Sequence, residues 1–162
     1  MKKKEGKHMR RSENSGAVIN QMKLVLPSLS VNEGTARAVV AAFCSQLNPT
    51  ATEIADIKCA VSEAVTNCIV HAYRDCVGMI YISVRLSEDK TVRVSVKDCG
   101  CGIADVKRAR EPLYTTDAEN ERSGMGFTVM ENFMDKLTVR SRPGKGTTVT
   151  MYKRITPPTL SE

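Results

Sequence analysis

The stretch CAVSEAVTNCIVHAYRD, residues 59–75, decides how the rest of the chain is interpreted. It is an apolar segment that carries Glu63, Asn67 and His71 at intervals of four. At 3.6 residues per turn, this spacing puts a carboxylate, an amide and an imidazole on one side of a helix. Two interpretations are open at this point. The stripe is either an ordinary solvated helix face or a site built on a rigid element.

Length and charge indicate one folded unit with a basic tail. A chain of 162 residues with 41% hydrophobic and 26% charged residues is typical of a single globular domain. Of the net charge of +6, the first eleven residues contribute six Lys or Arg against one Glu, which leaves the remainder nearly neutral. We expect a disordered basic tail over residues 1–21, a domain over 22–155 and a flexible tail over 156–162. Contact of the basic tail with an anionic surface is the alternative.

The composition also limits partners and compartment. No apolar run of signal-peptide or membrane-spanning length is present, so we expect a cytosolic protein without a membrane partner. Aromatic residues make up only 4% of the chain, which weakens the case for base stacking, and no direct nucleic-acid contact is expected.

The six cysteines are expected to be reduced thiols. Cys44, Cys59 and Cys68 lie among apolar residues and are predicted to be buried. Cys99 and Cys101 form a C-x-C pair with no second pair at ligand spacing, so a zinc site is not expected.

The order of predicted elements indicates an α+β fold. A strand from Met22 is followed by two helices, each opened by a capping box: Ser30 to Glu33, and Thr50 to Glu53. Two strands with alternating apolar residues follow, then a glycine-rich segment over 98–126 with a short helical piece near 104–110, another helix and two last strands. We predict a two-layer α/β sandwich in which helices cover one face of a mixed sheet.

Two glycine stretches, DCGCG at 98–102 and RSGMG at 122–126, are candidates for close approach to a ligand. Familiar phosphate motifs do not account for them. GKGTT at 144–148 lacks the first glycine of a P-loop and is flanked by strands. GCGIAD at 100–105 has Asp105 at the third glycine position of a dinucleotide fingerprint, and no βαβ unit surrounds it.

Taken together, the ordered motifs resemble a known fold. EAVTNCIVHA, a hairpin, DCGCG, RSGMGF and GKGTTVT follow the order of the nucleotide-binding fold shared by gyrase, Hsp90, histidine kinases and mismatch-repair ATPases. VSEAVTN, YISV, ERSGMGF and MENFMD are similar to one branch, the anti-sigma-F serine protein kinases of endospore-forming bacteria, or stage II sporulation protein AB group. The resemblance covers about residues 22–153. It implies ATP and Mg²⁺ as cofactors and a lid over the ATP.

The resemblance assigns roles to the helical stripe. Asn67 matches the amide that the superfamily uses on Mg²⁺, and a neutral oxygen ligand suits a hard cation shared with phosphates. Glu63 matches the general base, which would accept the proton of a serine hydroxyl. His71 falls on the family's histidine, which lies either near the phosphates or in a supporting position.

The resemblance also assigns the glycine stretches. Asp98 matches the acid that receives the adenine amino group, and Thr147 the threonine beneath adenine. Gly100 and Gly102 would let the backbone pass the base and the first phosphates. Four residues are expected to close over the terminal phosphates: Arg122, Ser123, Gly124 and Gly126.

Partners follow from the same resemblance. The family implies a homodimer that captures a sigma factor of the sigma F type when ATP is bound and phosphorylates an anti-anti-sigma protein on serine. Arg37 matches the partner-contacting arginine, although an ordinary exposed arginine is the alternative. A rival is an ATP-gated sigma-binding module without useful phosphoryl transfer. An ATPase of the gyrase or Hsp90 type is a further rival, but their transducer domain is not found.

Overall fold

The computed structural model describes residues 16–111 and 125–156, which form one sheet and a layer of helices. The elements in chain order are β1 (Val18–Pro27), α1 (Val31–Cys44), α2 (Ala51–Asn67), β2 (Met79–Ser87), β3 (Thr91–Lys97), α3 (Val106–Ala109), α4 (Gly126–Phe133), β4 (Lys136–Arg142) and β5 (Gly146–Arg154). A 3₁₀ turn follows α1 at Ser45–Leu47, and a π-helix extends α2 over Cys68–Ala72. None of the described helices has the length and apolar character needed to cross a membrane.

The sheet has the strand order β1-β2-β3-β5-β4, and every described pair of neighbours is antiparallel. The α+β class is therefore confirmed, but the prediction of a mixed sheet was wrong. Two hairpins, β2–β3 and β4–β5, lie side by side so that β5 runs antiparallel to β3. The connection through α1 and α2 joins β1 to its antiparallel neighbour β2. The connection through α3 and α4 joins β3 to β4, which run in the same direction but are separated by β5, so no two neighbouring strands are parallel.

One face of the sheet forms the core, as the alternating sequence pattern predicts. Ile80, Ile82, Val84 and Leu86 of β2 are buried, whereas the residues between them are less covered. Against this face, α2 packs its apolar stripe, which includes Ile57, Val61, Ala64 and Val65. The opposite face of the sheet carries no helix among the described elements.

The capping box of α2 is confirmed. Thr50 Oγ1 accepts a hydrogen bond from the Glu53 N–H at 3.2 Å, and Glu53 Oε2 accepts one from the Thr50 N–H at 2.8 Å. The corresponding prediction for α1 was wrong, because the Ser30 side chain makes no cap bond. The carboxylate of Glu33 is instead engaged by the Ser62 hydroxyl of α2, so a tertiary contact replaces the local one.

Two further details differ from the sequence prediction. Strand β1 begins at Val18 rather than Met22, and Val18 is aligned with Ser87 of β2. Cys44 and Cys68 are buried as predicted, but Cys59 is exposed because it lies beside the core stripe of α2 rather than within it. The division into a tail over residues 1–21, a domain over 22–155 and a tail over 156–162 remains a prediction.

Candidate functional site

The polar stripe of α2 opens into a cavity of about 790 Å³ between the helix layer and one end of the sheet. Glu63 and Asn67 lie on the last turns of α2, and His71 lies on the π-helix that follows. π-helices are rare, occur mostly as single turns within α-helices and are frequent at functional sites. The volume is in the range of small-molecule sites. The stripe therefore lines a cavity of ligand-binding size and is not an ordinary solvated helix face.

Two oxygen atoms of the stripe converge on the start of α4. A Cβ atom added to Gly126 would lie 3.1 Å from Glu63 Oε2 and 3.4 Å from Asn67 Oδ1. Gly126 is also the first residue of α4, whose first N–H groups lack partners within the helix. Helix N-termini attract anions through these N–H groups and the helix dipole. A carboxylate, an amide and an anion-attracting helix end thus meet at one place.

Asp98 lies buried in the cavity wall directly after β3. Its Oδ1 accepts hydrogen bonds from the N–H groups of Gly100 at 2.9 Å and Thr147 at 3.2 Å. Its Oδ2 lies 3.8 Å from Cys68 Sγ. Burial, and after it the negative charge of Asp98, raises the pKa of the Cys68 thiol well above its usual range, so Cys68 faces Asp98 as a neutral donor. Oδ1 is occupied by backbone donors, whereas among the described residues Oδ2 has only this weak thiol donor.

Thr147 at the start of β5 closes the same end of the cavity. Its backbone carbonyl accepts from the Asp98 N–H at 2.9 Å. Its hydroxyl lies 2.9 Å from Ser141 Oγ, and Ser141 Oγ accepts from the Ile103 N–H at 2.7 Å. Strands β4 and β5 are in this way tied to the loop that follows Asp98.

The loop after Asp98 needs glycine at two positions. A Cβ atom on Gly100 would lie 2.2 Å from the carbonyl oxygen of Ala72, so the loop packs against the π-helix by direct backbone contact. Gly102 has a φ of +72°, a conformation that favours glycine. The Cys101 N–H also donates to the Ala72 carbonyl at 3.2 Å. These contacts fix the loop relative to the end of α2.

Tyr73 is a supporting residue that the sequence analysis did not single out. Its hydroxyl accepts from the Cys99 N–H at 2.8 Å and donates to the Met79 carbonyl at 2.9 Å. It therefore links the loop after Asp98 to the start of β2. The only signal in the sequence was an aromatic residue two positions after His71. Other cavity residues that the sequence analysis missed include Thr66, Arg74, Ile103, Asp105, Arg108 and Phe127.

Most of the predicted site residues come together in this cavity. The residues that line it are Glu63, Asn67, His71, Asp98, Gly102, Gly126 and Thr147. Gly100 does not line it but closes the loop onto Asp98. Arg37 also lies outside the cavity, on an exposed part of α1, 3.6 Å from Glu33. The last three predicted residues fall outside the described part of the chain: Arg122, Ser123 and Gly124.

Comparison with known proteins gives consistent results. Residues 26–153 match the family of histidine kinase-like ATPase domains. The chain is 57% identical over 136 residues to the anti-sigma F factor of Caldanaerobacter subterraneus subsp. tengcongensis, covering 84% of this chain and 94% of that protein. It is 52% identical over 137 residues to the anti-sigma F factor of Bacillus subtilis, covering 84% and 93%.

Solved structures show the same fold at low sequence identity. The RsbU and RsbW domains of a Mycobacterium tuberculosis protein superpose with a TM-score of 0.64 at 24% identity, covering 86% of this chain and 33% of that chain. A histidine kinase domain from a blue-light activated kinase of Erythrobacter litoralis gives a TM-score of 0.50 at 20% identity, covering 76% and 61%.

Proposed function

The chain belongs to the anti-sigma F factor family and carries its histidine kinase-like ATPase domain, and on this premise we propose that it is a serine protein kinase as well as an anti-sigma factor. It binds and inhibits a sporulation sigma factor of the sigma F type. It also phosphorylates the anti-anti-sigma protein that opposes this inhibition. The observation that carries the kinase proposal is the convergence of Glu63 and Asn67 on the start of α4.

The cavity fits an adenine nucleotide at both of its ends. Asp98 Oδ2 is the oxygen left to accept the adenine N6 amino group, since Oδ1 is held by the Gly100 and Thr147 N–H groups. An acceptor at this position favours adenine over guanine, which presents a carbonyl oxygen there. At the other end, the N-terminus of α4 suits the phosphates. The 790 Å³ volume accommodates a ligand of this size.

Asn67 is the residue that would hold Mg²⁺ together with the nucleotide phosphates. Its side chain offers one neutral oxygen at the start of α4, and Mg²⁺ commonly takes few protein ligands when phosphates supply the others. When bound there, Mg²⁺ and ATP would supply the phosphoryl group and the positive charge that offsets the charge developing on the phosphates during transfer.

Glu63 acts as the general base in this proposal. Its Oε2 lies at the same helix end as the Asn67 oxygen, where the acceptor serine must approach the terminal phosphate. The carboxylate accepts the hydroxyl proton of that serine as the oxygen attacks, and it is held in place by the rigid last turns of α2. His71 lines the cavity one turn further on and supports the phosphate end.

The protein partners require surfaces away from the cavity. Arg37 projects from α1, is about half exposed, and has its i−4 neighbour Glu33 at 3.6 Å. Exposed ion pairs of this kind contribute little stability, so Arg37 is available to a partner at small cost. We assign it to contact with the sigma factor. We also propose that the protein is a cytosolic homodimer, as the family resemblance implies.

A binding module that captures sigma in an ATP-dependent way without phosphoryl transfer is the alternative, because Arg37 and Asp98 would serve it equally well. One experiment separates the two functions. Purified protein is incubated with radiolabelled ATP, Mg²⁺ and the anti-anti-sigma protein, and phosphoserine is measured beside ATP-dependent capture of sigma F. We expect both signals. Capture without phosphoserine favours the binding module, whereas absence of both contradicts the proposed function.

A further inference from the structure

The open face of the sheet, opposite the helices, carries an unbalanced positive charge. The register aligns three rows of side chains that cross β2, β3, β5 and β4 and point away from the core. The first row is Tyr81, Lys97, Thr148 and Arg140. The second is Ser83, Ser95, Thr150 and Thr138. The third is Arg85, Arg93, Tyr152 and Lys136. Five of these twelve positions are Lys or Arg, and none is acidic.

The rows form a trough. Small hydroxyl side chains occupy the middle row, and long cationic or aromatic side chains occupy both outer rows. Successive rows are two residues apart, so the outer rows are separated by about 13 to 14 Å. Ser95 Oγ and Thr150 Oγ1 lie 3.3 Å apart on the floor. The trough therefore has a floor of hydroxyl side chains, of which Ser83, Ser95 and Thr138 are partly exposed and Thr150 is buried, between two walls of positive charge.

Three arginines of the walls, Arg85, Arg93 and Arg140, have no acidic partner within the described part of the chain. Arg85 and Arg93 are directly opposite each other on neighbouring strands, an arrangement of like charges that destabilises a sheet. Neither they nor Arg140 takes part in an ion pair among the described residues. Arg93 packs over the Tyr152 ring at 5.8 Å, and its buried Nε has no hydrogen-bond partner there. An anionic ligand would relieve this repulsion.

From this arrangement we propose that the trough binds single-stranded nucleic acid. Arg, Lys, Ser and Thr side chains are the usual contacts of phosphate and sugar, and all four types line the trough. Tyr81, which is 42% exposed, offers an aromatic surface on which a base can stack. A duplex is stiff and would meet this open face only along its phosphates, whereas a flexible strand can follow the trough and use the tyrosine as well.

The sequence that precedes β1 is basic as well. Six of the first eleven residues are Lys or Arg, and the chain enters the sheet through β1, where Gln21 is paired with Arg85. The proposal goes beyond the kinase and anti-sigma functions and uses the opposite face of the sheet. It departs from the expectation from composition that nucleic acid is not a partner, and the binding experiment below decides between the two. Composition gives the number of aromatic residues and charges but not the face on which they gather.

Salt dependence and a charge-matched pair of variants test the electrostatic part. Anisotropy is measured with fluorescent single-stranded 12-mers of uridine and of thymidine, without ATP, between 50 and 200 mM KCl. With about four phosphates neutralised, the slope of log K against log salt is about −3, and the affinity falls about 50-fold over this range. Arg85→Gln/Arg140→Gln should halve the slope, whereas Lys58→Gln/Lys107→Gln, which removes the same charge from exposed helix positions, should leave it unchanged.

Tyr81→Ala tests the choice of a single strand. It should lower the affinity for the 12-mers about 5- to 100-fold and leave the weaker binding of a 12-base-pair duplex unchanged. Four outcomes overturn the proposal: equal losses for the two double variants, duplex binding as tight as single-strand binding, binding to phosphatidylserine vesicles but not to the 12-mers, or dissociation of a homodimer by Arg85→Gln/Arg140→Gln in light scattering. The last outcome would mean that a second copy of the chain covers the trough.

Discussion

Replacing Asp98 by Asn provides the sharpest test of the adenine site, because the two carboxylate oxygens have different neighbours. Oδ1 accepts from the N–H groups of Gly100 and Thr147, and an Asn side chain keeps an oxygen for both. Its NH₂ group then replaces Oδ2, beside Cys68 Sγ and the cavity. The substitution therefore turns an acceptor toward the adenine amino group into a donor and leaves the loop closed.

The expected loss is one hydrogen bond to a charged acceptor, worth about 1.5 to 3 kcal/mol. ATP affinity should fall about 10- to 100-fold. The ratio of ATP to GTP affinity should fall as well, since the new NH₂ donor suits the guanine carbonyl. Calorimetric titration with both nucleotides measures these quantities.

Asp98→Ala is the control that separates binding from folding. It removes the acceptor of two N–H groups in a buried place, and each unsatisfied donor costs about 1 to 3 kcal/mol. The Ala variant should therefore melt at least about 5 °C lower, whereas the Asn variant should melt within about 2 °C of the wild type. Unchanged ATP affinity of Asp98→Asn would remove Asp98 from the adenine site. A loss of affinity matched by a loss of stability as large as that of Asp98→Ala would make its role structural.

Three further changes test the remaining assignments. Glu63→Gln should lower the single-turnover rate of serine phosphorylation about 10²- to 10⁴-fold while ATP and sigma binding persist, since an amide cannot accept the proton. Glu88→Gln, at an exposed position, is the control, and a near-normal rate for Glu63→Gln would refute the general-base role. Tyr73→Phe should weaken ATP binding about threefold to tenfold and lower thermal stability, because the Cys99 N–H loses its acceptor; wild-type values for both would exclude the bridging role. Deleting residues 1–15 should leave the melting temperature unchanged, whereas deleting residues 1–21 should lower it, because the second deletion removes part of β1. Equal melting temperatures of the two truncated proteins would show that these β1 residues contribute no stability.

Local patterns predicted those parts of the fold that depend on neighbouring residues. The apolar stripe of α2 and the alternation in β2 and β3 appear in the structure where the sequence predicts them, because helical and strand periods are properties of a short segment. The site residues on α2 were predictable for the same reason. Their spacing alone puts them on one side of the helix.

Tertiary contacts account for the parts that were not predictable. The predicted cap at Ser30 does not form, and Glu33 instead contacts Ser62. These two residues are 29 positions apart in the sequence, so a local pattern cannot predict their contact. The first residues of β1 are mostly exposed and polar in part, so they carry no core pattern, and their pairing with β2 makes them a strand. The near-neutral charge of the domain likewise does not reveal the cations on the open face, because the acidic residues that balance them, such as Glu53, Asp56 and Glu63 of α2, lie elsewhere in the fold.

The π-helix explains how the two ends of the cavity are kept at a fixed separation. Asn67, the last residue of α2, lies beside Gly126 at the proposed phosphate end, and the next residue, Cys68, contacts Asp98 at the proposed adenine end. Four residues later the Ala72 carbonyl accepts from the Cys101 N–H, and Tyr73 accepts from the Cys99 N–H. One continuous stretch of helix thus holds the proposed general base Glu63, the proposed metal ligand Asn67 and the loop that carries the proposed adenine acceptor Asp98. Because a helix resists stretching, a nucleotide bound at Asp98 has its phosphates placed relative to Glu63 by the backbone itself. A register change in this short π segment would therefore misplace the phosphates relative to Glu63, even with every side chain of the site intact.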